Sequence, residues 1–170
     1  MSDGSRSRSD RVLDPAYVAD VDSLGFDDLH RRHAECVELE TEVSYIRRLA
    51  QAKIDIVNAE LDRRARGGTV DDLIRALPQI LADQGPRADP VDSHLPLQMA
   101  PSEESEWAPE LAKSEQVLAN LPNETEEHLR RVATELAALE RDVSAERHAL
   151  HTVLERLDAS LAERRRQEVS

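Results

Sequence analysis

From Asp27 to Arg66 the chain contains neither proline nor glycine. Within that stretch Leu29, Cys36, Leu39, Val43, Ile46, Ala50, Ile54, Val57 and Leu61 follow one another in steps of three, four and seven. A strand repeats every two residues, and a helix under a globular core carries a broad apolar face. This spacing instead predicts one long helix with a narrow apolar seam. The consecutive four-residue steps from Ile46 to Ile54 interrupt the regular repeat, so a perfectly regular supercoil is not expected there. Arg66-Gly67-Gly68 then ends the helix.

A seam that narrow needs a partner, and the chain carries one. Pro122-Asn123 opens a second segment, and Glu124, Glu126 and Glu127 suit the positive end of a helix. Leu129, Val132, Leu136, Leu139, Val143, Leu150, Val153, Leu157 and Leu161 carry its seam to a basic end at Arg164-Arg165-Arg166. Each helix spans about 40 residues, roughly 60 Å. Aromatic residues make up 2% of the 170-residue chain and charged residues 34%, a mixture suited to long helices on narrow seams. The fold class is therefore all-α: an antiparallel two-helix coiled-coil hairpin with short connecting helices and a disordered N-terminus. The connection is also long enough for a parallel pair, but the hairpin is the economical arrangement.

The remaining segments fill in around that frame. Residues 1–25 read as a flexible N-terminal segment, rich in Ser, Arg and Asp through residue 11, with a short helical turn near Pro15–Val21. Residues 26–166 form the helical domain. Thr69 and Asp72 have capping-box spacing before an amphipathic segment that Pro78 is expected to kink or divide. Seven of the eight prolines lie between Pro78 and Pro122, and residues 84–105 read as a mobile linker. A weak helix is expected from Glu106 to Asn120. Leu73, Ile74, Leu77, Ile80 and Leu81 pack onto the hairpin in the simplest reading, or grip a partner in a sharper one.

Several functional classes are disfavoured. A formal net charge of −13 argues against direct DNA binding through phosphates and favours a basic protein partner. No run approaches the roughly 20 apolar residues of a membrane span, and the N-terminus lacks a signal-peptide apolar segment, so a cytoplasmic protein is expected. Cys36 stands alone, excluding an internal disulfide, and suits a small apolar slot. His30, His33, His94 and His128 form no ligand grouping for a metal. No phosphate loop, metal triad or activated nucleophile is present, so the chain reads as a non-enzyme without a cofactor.

One pattern is left over. Leu39, Glu40, Val43, Ser44 and Arg47 recur a hundred residues later as Leu139, Glu140, Val143, Ser144 and Arg147. With Leu39 at d and Val43 at a, Glu40, Ser44, Arg47 and Gln51 fall beside the seam, and Asp55 follows the shifted register. The same offset carries Glu140, Ser144, Arg147, His151 and Glu155. Antiparallel packing would put both stripes on one face, with Arg47 and Arg147 at similar heights. Such residues commonly set helix register through cross-helix pairs. Ser44 and Ser144 fit that role poorly, since serine adds little to helix propensity or ion pairing. The arginines suit phosphate or the guanine O6/N7 edge, and the carboxylates suit guanine donors. Arg48 and His148 fall at the edge of this face. Lys53 is either a phosphate contact or a seam lysine, and Trp107 a packing or partner anchor.

The spacing Glu40-x3-Ser44-x2-Arg47-x3-Gln51-x3-Asp55 resembles the signature of the RsiG family of anti-sigma factors from filamentous actinobacteria. The second copy keeps Glu140, Ser144 and Arg147, with His151 and Glu155 in place of glutamine and aspartate. The resemblance implies an antiparallel coiled coil that binds cyclic di-guanylate, as a ligand dimer, through one motif on each helix. It implies a WhiG-like sigma factor as partner, sequestered from RNA polymerase to repress a sporulation programme. The ten motif residues are then the ligand contacts. The alternative is a ligand-independent coiled-coil scaffold or oligomerisation protein.

Overall fold

The structure, a computed structural model, describes residues 7–82 and 105–169. The first six residues of the N-terminal segment and nearly all of the 84–105 linker lie outside the described residues. Among the described residues there are six α-helices and no strand. They are α1 (Arg8–Leu13), α2 (Ala16–Ala19), α3 (Phe26–Ala65), α4 (Val70–Ala82), α5 (Ala108–Ala119) and α6 (Glu126–Val169). The two long helices are those expected from the seam periodicity, each shifted by a few residues at its ends. The chain forms two compact units, one made of residues up to Ser44 with those from Ser144 onward, the other of Tyr45–Val143.

In the first unit Leu29, Cys36, Leu39 and Val43 of α3 and Leu150, Leu157 and Leu161 of α6 are buried. Contacts rise along α3 as they fall along α6, which makes the pairing antiparallel. His33 Nε2 lies 2.9 Å from Asp158 Oδ1, and Cys36 Sγ lies 3.8 Å from the Leu150 carbonyl. Residues 8–19, read from sequence within a flexible segment, are mostly helical here. Ser7 and Asp10 form a capping box, an arrangement their spacing permits, and Val12 is fully buried. Arg8 pairs with Glu38 at 2.9 Å, Arg11 pairs with Glu35, and Ser9 donates to Glu146. The Ser/Arg/Asp composition that suggests disorder thus supplies a cap and two ion pairs. Asp22, before α3, accepts from Arg156 at 2.5 Å and Ser160 at 3.1 Å.

Cys36 occupies the apolar slot expected of it. It is fully buried, and burial, with the charges of Glu40, Glu35 and Asp158, pushes its thiol up to about 12. Thiolate is the reactive form, so the folded chain holds roughly a thousandfold less of it than a free thiol would. Alkylation by iodoacetamide at mildly alkaline pH is expected to be slow in the folded chain and fast in denaturant. Equal rates in both would place Cys36 at the surface.

In the second unit Val57, Leu73, Val117, Leu121, Leu129, Val132 and Leu136 form one buried cluster drawn from α3, α4, α5, the turn into α6 and α6. Gly67 has φ +68°, the left-handed conformation that stops α3. Thr69 and Asp72 bond reciprocally, the Thr69 N–H donating to Asp72 at 2.7 Å, and α4 begins there. Pro78 does not divide α4, which runs unbroken through it. Proline removes one N–H donor, and because Pro78 is exposed the orphaned carbonyl one turn earlier can turn to water. Of the α4 apolar residues, Leu73 is buried, Leu77 and Ile80 are half-buried, and Ile74 and Leu81 are exposed. Lys53 is buried at 4% exposure and fastens α5. Its Nζ donates to the Leu111 carbonyl at 2.9 Å and Ser114 Oγ at 3.0 Å. Burial lowers its pKa and the nearby Glu115 opposes that shift. Those bonds favour the packing role over the phosphate contact.

Candidate functional site

The duplicated motif is realised as two sets of cross-helix bonds, one within each unit. In the first unit Glu40 of α3 is the hub. Its Oε1 accepts from Arg147 Nε at 3.0 Å and Ser44 Oγ at 2.7 Å, and lies 3.0 Å from His151 Nε2. Arg147 Nε also reaches Ser44 Oγ at 2.7 Å. Ser44 is buried, which a small hydroxyl permits and a longer polar side chain would not. In the second unit Glu140 of α6 takes the equivalent part. It accepts from Gln51 Nε2 at 3.1 Å, with Arg47 Nη1 4.0 Å away.

The correspondence is reciprocal. The acid that opens each motif pairs with the arginine seven residues into the other copy and with the residue at that copy's eleventh step. Glu40 meets Arg147 and His151; Glu140 meets Arg47 and Gln51. His151 therefore substitutes for glutamine in position as well as in sequence, offering one ring nitrogen where Gln51 offers an amide N–H. The other three motif residues differ in burial. Ser144 and Asp55 are half-buried, and Glu155 is exposed one turn beyond His151.

The two sets differ in how completely they are satisfied. Glu40 is half-buried, and that burial raises its pKa. The Ser44 and His151 hydrogen bonds and the Arg147 charge outweigh it, leaving the carboxyl below its usual range. Its contribution to stability is therefore full above the unfolded glutamate range and is lost as pH falls through its depressed folded value. Around Glu140 the arginine stands back at 4.0 Å. The Arg47 Nε is buried and has no hydrogen-bond partner among the described residues. An unmet buried donor costs about 1–3 kcal/mol, so Arg47 gains if an acceptor re-aims it.

Residues 15–81 match the model of the RsiG-like family. Over this span the chain is similar to that family. The RsiG-like segment includes α2, α3 and nearly all of α4, and holds the first motif complete from Glu40 to Asp55. The match points to an anti-sigma-factor-type regulator, whose partner class is a sigma factor. A search of curated proteins gives no match. Among the described residues no three His, Cys, Asp or Glu side chains group as a metal site, and no helix is long and apolar enough to cross a membrane.

Three features beside the site escape the sequence reading. Ser9 donates to Glu146, the residue before Arg147, so α1 braces that turn of α6. Glu146 stands at the seam spacing between Val143 and Leu150, where an apolar residue would be usual, and that oddity is the hint the sequence offers. Lys53, a phosphate contact or seam lysine by its position, holds α5, and nothing in its spacing announces the bond to the Leu111 carbonyl. Glu60 is fully buried and paired with Arg63 and Arg64, a carboxylate that no sequence pattern singles out.

Proposed function

We propose that the chain is a cyclic di-guanylate-responsive anti-sigma factor that sequesters a WhiG-like sigma factor and represses its sporulation transcription. The reciprocal motif carries this reading. An acid, a hydroxyl and an arginine are repeated on two helices, and the repeat equips the chain for a ligand that itself repeats. Cyclic di-guanylate has two guanines and two phosphates, and binding as a dimer would suit two copies of the motif. Arginine bonds bidentately to phosphate or to guanine O6 and N7, while glutamate and aspartate accept from guanine N1 and N2. The acids disfavour bare phosphate, which they would repel. The RsiG-like match over the first motif supports the same assignment. No catalytic step is proposed, and the net charge of −13 suits a cytoplasmic competitor for the basic surfaces a sigma factor offers to DNA.

A second reading rests on Glu40. Its bonds to Ser44, Arg147 and His151 leave it satisfied without any ligand, as expected of a scaffold whose ion pairs set helix register. The two readings part in one titration. Purified WhiG-like sigma factor is titrated into the native chain with and without cyclic di-guanylate, by calorimetry. The ligand is expected to raise affinity about 5–150-fold, the usual range for coupling between two sites. Equal affinity in both titrations would leave the scaffold reading standing.

A further inference from the structure

Within the second unit, α5 and the first turns of α6 leave an open groove of about 410 Å³. Its floor is the exposed edge of the core, with Val117, Val132, Leu136 and Leu139 among its lining residues. Trp107, at the N-terminal end of α5, also lines the groove. The α6 side carries Glu135 and Asp142, both exposed and neither in an ion pair among the described residues. These acids are seven residues apart, so they sit on one face of α6 about 10 Å from each other. Glu110 on the α5 side is already paired with Lys113 at 2.9 Å.

An apolar floor with an aromatic lining residue and two free carboxylates two turns apart matches one kind of occupant. We infer that this groove docks a cationic amphipathic helix of the partner sigma factor. Its apolar residues would lie against Leu136 and Leu139, and two basic residues two turns apart would sit over Glu135 and Asp142. Helix-in-groove recognition works through apolar anchors at such spacings. Sigma factors carry basic helices because they approach promoter phosphates, and an acidic rim competes for the same charges. Of the duplicated pattern only the apolar Leu139 lines the groove; none of the ten proposed ligand contacts does, so partner grip and ligand response fall on separate residues. The inference rests on the proposed sigma-factor partnership.

The test uses the whole chain with purified WhiG-like sigma factor as the probe. Glu135→Lys with Asp142→Lys reverses the rim without touching the core, and Ala138→Arg blocks the groove from its half-buried wall. Each variant is expected to weaken capture about tenfold or more at low salt, with the loss for the double variant shrinking as salt rises. Helicity and cyclic di-guanylate binding should match the native chain. Native affinity for the sigma factor in both variants would overturn the groove while leaving the proposed function intact. A native chain that does not bind the sigma factor at all would overturn both. If sedimentation finds a native dimer that the variants abolish, the groove joins two copies of this chain and the inference is wrong.

Discussion

Arg147→Ala is expected to lose cyclic di-guanylate binding and stability together, whereas Arg47→Ala should lose binding with stability nearly intact. The difference follows from what each arginine does when no ligand is present. Arg147 bonds both Glu40 and Ser44, so its removal leaves a half-buried carboxylate with only Ser44 and His151. Removing one partner of such a pair exposes the desolvation cost of the other, here about 1–2 kcal/mol because Glu40 keeps two bonds. Arg47 stands 4.0 Å from Glu140 and its buried Nε has no partner among the described residues. Alanine there removes an unmet donor along with a weak ion pair, and the two changes nearly cancel. Under the proposed function each variant loses one bidentate contact with the ligand, worth roughly tenfold to a hundredfold in affinity. Calorimetry with cyclic di-guanylate and urea unfolding of both variants check the two halves separately. Unchanged ligand affinity in both would remove the motif from ligand binding. Equal destabilisation would show that Arg47 is bonded as tightly as Arg147.

The same contrast marks how far the sequence could be read. Seam periodicity foretold both long helices, because a narrow apolar stripe has few other uses and each core position sits on a local repeat. Gly67 and the Thr69/Asp72 cap were legible for the same reason: their chemistry acts within a few residues. Register placed Glu40, Arg47, Glu140 and Arg147 beside the seam. It did not reveal that each acid would pair with the other copy's arginine, because that depends on the axial stagger of two helices, which no local pattern encodes. The missing donor of Pro78 predicts a kink or a division of α4, and the exposed position that makes the loss tolerable is a tertiary fact. Lys53 and Ser9 are hidden more deeply. Their partners, the Leu111 carbonyl and Glu146, lie 58 and 137 residues away in sequence.

Glu60 is the furthest from anything the sequence suggested, and its replacement should have the largest effect on stability. Its side chain is fully buried, and the guanidinium groups of Arg63 and Arg64 bond it at 2.6–2.7 Å. Those bonds aim the two arginines at backbone groups. Arg63 Nη1 donates to the Gly68 carbonyl at 2.5 Å, and Arg64 Nη1 and Nη2 donate to the Glu124 and Leu121 carbonyls at 2.7 and 3.1 Å. One carboxylate thus organises the end of α3, the turn into α4 and the turn into α6. Glu60→Ala leaves two cations without their acceptor and loosens both turns, a loss of about 2–3 kcal/mol after allowing for the partial exposure of the arginines. Glu60→Gln should recover less than half of it, since its amide would turn N–H groups toward arginine donors. The Arg63 hydrogen bonds, opposed by burial and helped by Arg64, hold the Glu60 carboxyl below its usual range. Its contribution is therefore complete above the unfolded glutamate range and disappears as pH falls through the depressed folded value. Urea unfolding across that acid range should show a steep loss in the native chain and a shallower one in Glu60→Ala. If the two curves fall in parallel, or the urea midpoint at neutral pH is unchanged, the carboxylate is a bystander and the arginines hold the turns alone.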